Sequence, residues 1–180
     1  ERARERTHLE NFSGQRFELG GTAPGMMSGF GYLEGRPVAY AAQCGTRNTP
    51  GGFRAAARLI RLADRLGLAV LTLVDTPGAD NRAEAEEAGV GPAIAELFAA
   101  VASARVPVST LVIGEGGSGG ALALTSPDRV WMTADAYFAV IAAEQATAIL
   151  KRPARDVPEI ADRLRLRPQD LLDLGIVQGI

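Results

Sequence analysis

A buried-type apolar run, Val108 to Ile113, passes straight into Gly114-Glu115-Gly116-Gly117-Ser118-Gly119-Gly120, five glycines in seven positions, and then into the apolar Ala121-Leu122-Ala123. The pattern predicts a strand that delivers a helix through a turn almost devoid of side chains, so the chemistry there belongs to the backbone. Glycine accepts positive φ and leaves the main chain open to close approach, which lets a negatively charged oxygen reach the peptide N–H groups at the helix mouth. A set of such donors is an oxyanion hole.

The same stretch also fits two other patterns. As G-x-G-x-x-G (Gly114, Gly116, Gly119) it follows a strand and opens a helix, and Asp135 stands downstream where a ribose-binding acid would be needed. The helix must end before Pro127, however, and the chain beyond Asp135 is too short for the remaining strands of a dinucleotide-binding sheet. As G-x-S-x-G (Gly116, Ser118, Gly120) it would make Ser118 a nucleophile at a strand-to-helix elbow. The only histidine is His8, in a charged N-terminal segment and on the wrong side of the serine for that order of residues. Ser118 is therefore read as a residue that opens the helix. The backbone oxyanion hole requires no side chain that the sequence lacks.

With 180 residues, 47% of them hydrophobic, the chain can bury a sizeable core. A net charge of −2 gives no reason to expect nucleic acid or an anionic membrane as partner. No apolar run reaches transmembrane length and no secretory signal opens the sequence. The single cysteine, Cys44, excludes an internal disulfide and a cysteine-based zinc cage, and reads as a small residue at a strand end in a reducing cytoplasm. No metal is expected. Residues 1–22, with the mixed-charge run Glu1 to Arg6, read as a linker or boundary segment, and 23–180 as one domain. The closing Gly175-Ile176-Val177-Gln178-Gly179-Ile180 reads as a strand cut short, as in an excised half of something longer.

Strands and helices alternate through that domain. Phe30–Leu33 and Val38–Gln43 flank the turn Glu34-Gly35-Arg36-Pro37 as an antiparallel pair. Pro50-Gly51-Gly52 opens a helix with Phe53, Ala57, Ile60 and Ala63 at helical spacing and Arg54, Arg58, Arg61 and Arg65 on a solvated face. Val70–Val74 reads as a buried parallel strand ending in Asp75-Thr76-Pro77-Gly78. That turn also occurs in GTPases, but no phosphate loop precedes it, so it is read as a pocket wall at a strand end. An acidic loop, 81–91, leads to a helix with Val90, Ile94, Leu97, Phe98 and Val101 on one face, and Glu84, Glu86 and Glu87 suit its electropositive start. Short strands at Arg129–Thr133 and Tyr137–Ile141 and helices from Ala142, Pro158 and Pro168 complete a series of ββα units, an α/β class.

The runs Val74-Asp75-Thr76-Pro77-Gly78-Ala79, Ala85-Glu86-Glu87, Val106-Pro107-Val108, Val112 to Ala123 and Leu171-Leu172-Asp173-Leu174-Gly175-Ile176-Val177, in that order, resemble the alpha half of the acetyl-CoA carboxylase carboxyltransferase. The resemblance covers about Ser28 to Ile180, and its long glycine run is its most specific part. It implies a ClpP/crotonase-like fold of ββα units. It further implies an enzyme that transfers a carboxyl group from carboxybiotin, held on a biotin carboxyl carrier protein, to an acyl-CoA, with acetyl-CoA to malonyl-CoA foremost. Biotin is the implied cofactor, not attached to this chain, and a beta-type half that binds the CoA thioester is the implied partner in an oligomer. On that mapping the N–H groups of Gly119 and Gly120 polarise the ureido oxygen of biotin, while Gly116, Gly117 and Ser118 shape the approach.

Where the family shows serine-proline-glutamate-glycine after the strand at Tyr137–Ile141, this chain has Ala142-Ala143-Glu144-Gln145, which places Ala142 and Ala143 in the implied biotin pocket. The stretch between Gln43 and Gly52 is also shorter. Two alternatives therefore stand beside carboxyl transfer: a biotin-independent decarboxylase of malonyl-type thioesters, and a non-catalytic half that completes a complex. A valine at Gly120 is expected to abolish turnover and leave assembly intact.

Overall fold

The structure is a computed structural model that describes Phe17–Glu18 and residues 23–180. The expectations for His8 and for residues 1–6 fall outside the described residues. Seven strands, β1 (Phe17–Glu18), β2 (Met26–Leu33), β3 (Arg36–Gln43), β4 (Ala69–Thr76), β5 (Val108–Gly117), β6 (Val130–Met132) and β7 (Tyr137–Ala139), form one sheet in the order β1-β2-β3-β4-β5-β6, with β7 also paired to β5. The β1–β2 and β2–β3 pairs are antiparallel, and every later pair is parallel.

The β2–β3 hairpin is tighter than the four-residue turn the sequence suggests. Glu34 and Gly35 alone form it, with φ of 50° and 75°, the left-handed pair that matches the twist of a two-residue hairpin. Pro37 is tolerated inside β3 because the pairing with β4 begins one residue later, at Val38 opposite Ala69.

Helix α1 (Pro50–Leu66) starts where Thr49 accepts the Gly52 N–H at 3.3 Å and Pro50 needs no donor, and stops at Gly67 with φ 70°. Phe53, Ala56, Ala57, Ile60 and Ala63 are buried, and they bring α1 against α3 (Val90–Ser103), whose Ala93, Leu97 and Ala100 are equally enclosed. Phe98, expected on that buried face, is 41% exposed. Small residues on both helices allow close packing. Arg54 is not a solvated arginine: its guanidinium donates to the carbonyls of Ala88 and Gly89 at 3.0 and 3.3 Å and fastens α1 to the end of the short α2 (Ala83–Glu87).

Alternation along the central strands divides the core. Ala39, Ala41, Val70, Val74, Val108 and Val112 face the helices, whereas Val38, Tyr40, Ala42, Leu73 and Ile113 form a second, smaller cluster. The unbroken apolar runs of β4 and β5 thus arise because both faces are covered. Thr72 and Thr110, the buried polar pair between these strands, share a 2.7 Å hydroxyl contact, and Thr110 accepts the Ser126 N–H at 2.8 Å.

The chain then forms α4 (Ser118–Leu122), α5 (Ala143–Ile149), α6 (Val157–Leu164) and α7 (Pro168–Asp173). The last residues do not make the expected strand. They dock on β6 through Gln178 N–H to the Val130 carbonyl at 2.8 Å and Met132 N–H to the Gly179 carbonyl at 3.1 Å, with Val177 buried beneath.

Candidate functional site

Ligands of parallel sheets gather where the strands end, and here β4 and β5 end side by side. Beyond Asp75 the β4 chain turns through Thr76-Pro77-Gly78. The buried Thr76 hydroxyl lies 2.8 Å from the Thr46 carbonyl and accepts the Gly78 N–H at 3.1 Å, while Gly78 has φ 130°. Backbone bonds between Asn48 and Gly78 (3.2 Å) and between Asp80 and Asn48 (2.9 Å) bind this turn to the loop after β3.

Strand β5 extends to Gly117, so half of the glycine run is strand, and α4 begins at Ser118. Most of these glycines are explained by contact. A Cβ at Gly114 would lie 2.4 Å from the Asp75 carboxylate, one at Gly116 2.4 Å from the Phe138 ring, and one at Gly117 2.4 Å from the Pro77 carbonyl carbon. One at Gly120 would lie 2.7 Å from the Ala79 nitrogen and 2.8 Å from the Gly78 carbonyl carbon. Gly119 differs, because a Cβ there meets nothing within 4 Å. The expectation that valine at Gly120 would spare assembly is corrected by these distances: the side chain would collide with the backbone of the 77–79 turn, so the variant damages the fold before it tests the chemistry.

Ser118 has φ 56°, a left-handed conformation for a residue with a side chain, costing about 1 kcal/mol. It sits exposed between strand and helix. As the first residues of α4, Ser118, Gly119 and Gly120 have N–H groups with no carbonyl one turn earlier in the helix to accept them, and no side chain caps this end. Gln43, 1% exposed, donates its amide to the Gly120 carbonyl at 2.8 Å and braces the turn from beneath.

These elements border a cleft of about 410 Å³. Gly117 to Gly120 line it together with Pro77, Gly78, Ala79 and Arg47; Glu115, Tyr137, Val140, Ile141, Ala142 and Gln145 also line it. Of the residues singled out from the sequence, Gly117, Ser118, Gly119, Gly120 and Ala142 meet here. Gly116 and Ala143 are not among the lining residues: Gly116 is packed under Phe138, and Ala143 follows Ala142 as the first residue of α5. The Asp75-Thr76-Pro77-Gly78 turn is the pocket wall its place at a strand end suggested.

Three lining residues escaped the sequence reading: Glu115, Tyr137 and Arg47. Glu115 and Tyr137 are register partners in the β5–β7 pair, a pairing hidden when β5 is taken to stop at Ile113. Partial burial raises the Tyr137 phenol above its ordinary pKa, and the Glu115 carboxylate that accepts its hydrogen bond raises it further, with Glu144 and Asp75 adding to the effect. Arg47 donates to the Ala79 carbonyl at 3.1 Å. Near this wall Asp80 is held down to about 2 by the Arg82 guanidinium and backbone N–H, with Arg47 contributing.

A second groove, lined by Arg58, Arg61, Asp64 and Arg65 between α1 and α3, lies toward the opposite ends of the strands. Its charges are engaged in bracing: Arg61 pairs with Glu96 at 2.6 Å, and Asp64 accepts the N–H groups of Arg105 and Val106 at 2.7 and 3.2 Å. Among the described residues no group of three or more His, Cys, Asp or Glu could hold a metal ion, and no helix is long and apolar enough to cross a membrane.

A sheet of this order, with its cleft at the carboxyl ends of parallel strands and a glycine turn opening into a short helix, is a crotonase-like α/β fold. The structure of transcarboxylase 12S with methylmalonyl-coenzyme A and methylmalonic acid bound matches it with a TM-score of 0.84 and 24% identity, covering 98% of this chain and 38% of that one. Residues 10–180 match the family described as acetyl co-enzyme A carboxylase carboxyltransferase-like, and the chain belongs to that family. The acetyl-coenzyme A carboxylase carboxyl transferase subunit alpha of Deinococcus radiodurans is 44% identical over 172 residues, 89% of this chain and 54% of the relative. The subunits beta/alpha protein of a Parafrankia species is 44% identical over 169 residues, 87% of this chain and 28% of the relative. The chain thus spans about half the length of the alpha subunit it matches, and less of the fused protein.

Proposed function

We propose that the chain is the alpha-type half of a carboxyltransferase that moves a carboxyl group from carboxybiotin, presented by a biotin carboxyl carrier protein, to an acyl-CoA, with acetyl-CoA to malonyl-CoA as the reaction. The reading assigns Gly119 and Gly120 as the backbone donors and Gly116, Gly117, Ser118, Ala142 and Ala143 as the residues that shape the biotin side. It takes 23–180 as the working domain, 1–22 as a connecting segment, and the cytoplasm as its setting.

The observation that carries the reading is Gly119. Its neighbours in the run are glycines because other atoms crowd them, whereas Gly119 borders open cleft at the first turn of a helix. The cleft volume of about 410 Å³ falls in the range of small-molecule sites, and its Val140–Ala142 wall is apolar, which fits an uncharged ring with one polar edge. Bound carboxybiotin would supply the carboxyl group. The N–H groups of Gly119 and Gly120 would hold the ureido oxygen and favour negative charge on it as the carboxyl group leaves, each such donor contributing about 3 kcal/mol in comparable sites. Crowding by the 77–79 turn keeps these donors in place, so little reorganisation accompanies the reaction.

The name of the Parafrankia relative, beta/alpha, supports a beta-type half as partner, and that half would bring the CoA thioester to the open side of the cleft. Ala142-Ala143-Glu144-Gln145, which departs from the serine-proline-glutamate-glycine element of the resemblance, favours a second reading, the biotin-independent decarboxylase. Combining the chain with a beta-type half, supplying malonyl-CoA and following its loss with and without free biotin or the carrier protein separates them. Loss that requires biotin supports carboxyl transfer; loss indifferent to biotin supports decarboxylation; no loss under any condition supports a structural half.

A further inference from the structure

The geometry points to Tyr137 as a positioning residue of this cleft, one that accepts the free ureido N–H of the bound ring while Glu115 holds the phenol's own proton. The inference rests on the biotin reading and names the group that fixes which way the ring lies. Glu115 and Tyr137 are directly opposed in the parallel pairing of β5 and β7, so their side chains leave the same face of the sheet side by side. Both line the cleft, and Tyr137 is 40% exposed there.

A phenol has one proton to donate and lone pairs with which to accept. With that proton committed to the Glu115 carboxylate, the oxygen presents acceptor capacity to the cleft. Burial and the carboxylates of Glu115, Glu144 and Asp75 hold the phenol protonated, so it remains in this state across the working pH range. The cleft is thereby polarised. The first-turn N–H groups of α4 and the Arg47 guanidinium attract an oxygen, while the Tyr137 region, with its three carboxylates, attracts a polarised N–H. A cyclic urea carries both groups, a carbonyl oxygen beside an N–H, and fits these two poles in one orientation. A ligand that offers only a carbonyl satisfies one pole.

The test uses the chain assembled with its beta-type half, malonyl-CoA as carboxyl donor and free biotin as acceptor. Tyr137→Phe is expected to raise the KM for biotin about tenfold, the fold-change of one lost hydrogen bond, and to leave the KM for malonyl-CoA within about twofold. A biotin analogue methylated on the ureido nitrogen that does not take the carboxyl group is expected to be penalised with the wild-type complex and indifferent to Tyr137→Phe, a coupling that a merely structural tyrosine would not produce. If wild-type turnover saturates with biotin and Tyr137→Phe superimposes on it, or if both KM values rise together, the inference is overturned while the biotin reading stands. If the wild-type rate does not respond to biotin, the biotin reading itself is overturned and the inference falls with it.

Discussion

Substituting alanine at Gly120 and, separately, at Gly119 should move stability in opposite directions. The added Cβ at Gly120 would stand 2.7 Å from the Ala79 nitrogen and 2.8 Å from the Gly78 carbonyl carbon. Ordinary contact requires about 3.5 Å, so one backbone segment must retreat by roughly 0.7 Å. Neither is a side chain that can rotate away. The 77–79 turn is held by Thr76 and Asn48, and the Gly120 carbonyl is held by Gln43. Overpacking of this kind costs about 1–3 kcal/mol, and with backbone on both sides the upper end applies, about 3 kcal/mol. For a chain of this size that lowers Tm by about 6–12 °C. Alanine at Gly119 meets nothing within 4 Å, and its φ is not in the left-handed region. There it gains the helical preference of alanine over glycine, up to about 1 kcal/mol, or roughly 2–4 °C. Thermal unfolding followed by circular dichroism on the two variants reads the difference. If both lower Tm alike, or if Gly120→Ala stays within about 2 °C of wild type, the account of why these glycines are glycines is refuted.

Asp80 links stability to pH. Its folded pKa of about 2 lies below the model value of 3.8, so its contribution is complete above about pH 4 and is lost as pH falls through about 2. Asp80→Asn should therefore flatten the loss of stability between pH 4 and pH 2 in urea unfolding, and an unchanged acid profile would contradict the Arg82 pairing. Gln43→Leu removes the donor to the Gly120 carbonyl but also removes an amide oxygen that is buried without a partner. The two effects oppose, and the net cost should be about 1 kcal/mol, read as a lower urea midpoint at unchanged m-value; a loss of 3 kcal/mol or more would show that the brace matters more than this balance allows.

The frame of this fold is legible in the sequence because local signals and tertiary packing agree there. The apolar runs of β4 and β5, the Thr49-Pro50 start of α1 and the glycine turn before α4 each carry a physical cause that acts over a few residues. Pairings between distant segments are not legible in the same way. Nothing near Glu115 announces that β5 continues past Ile113, since glycines are poor strand formers in isolation and become strand here through the contacts of Asp75, Pro77 and Phe138. With that continuation hidden, Tyr137 cannot be placed beside Glu115. Likewise Arg54 reads as a surface charge on α1 until the end of α2 folds back to offer the carbonyls of Ala88 and Gly89. The terminal Gly175–Ile180 has strand-like residues, yet only two backbone bonds to β6 are formed.

A crystal structure of the chain assembled with a beta-type half and biotin tests the central claim most directly. The account predicts the ureido oxygen at about 2.7–3.1 Å from the backbone nitrogens of Gly119 and Gly120. Biotin seated away from the first turn of α4, or lying in this cleft with its oxygen turned toward Tyr137, would contradict it.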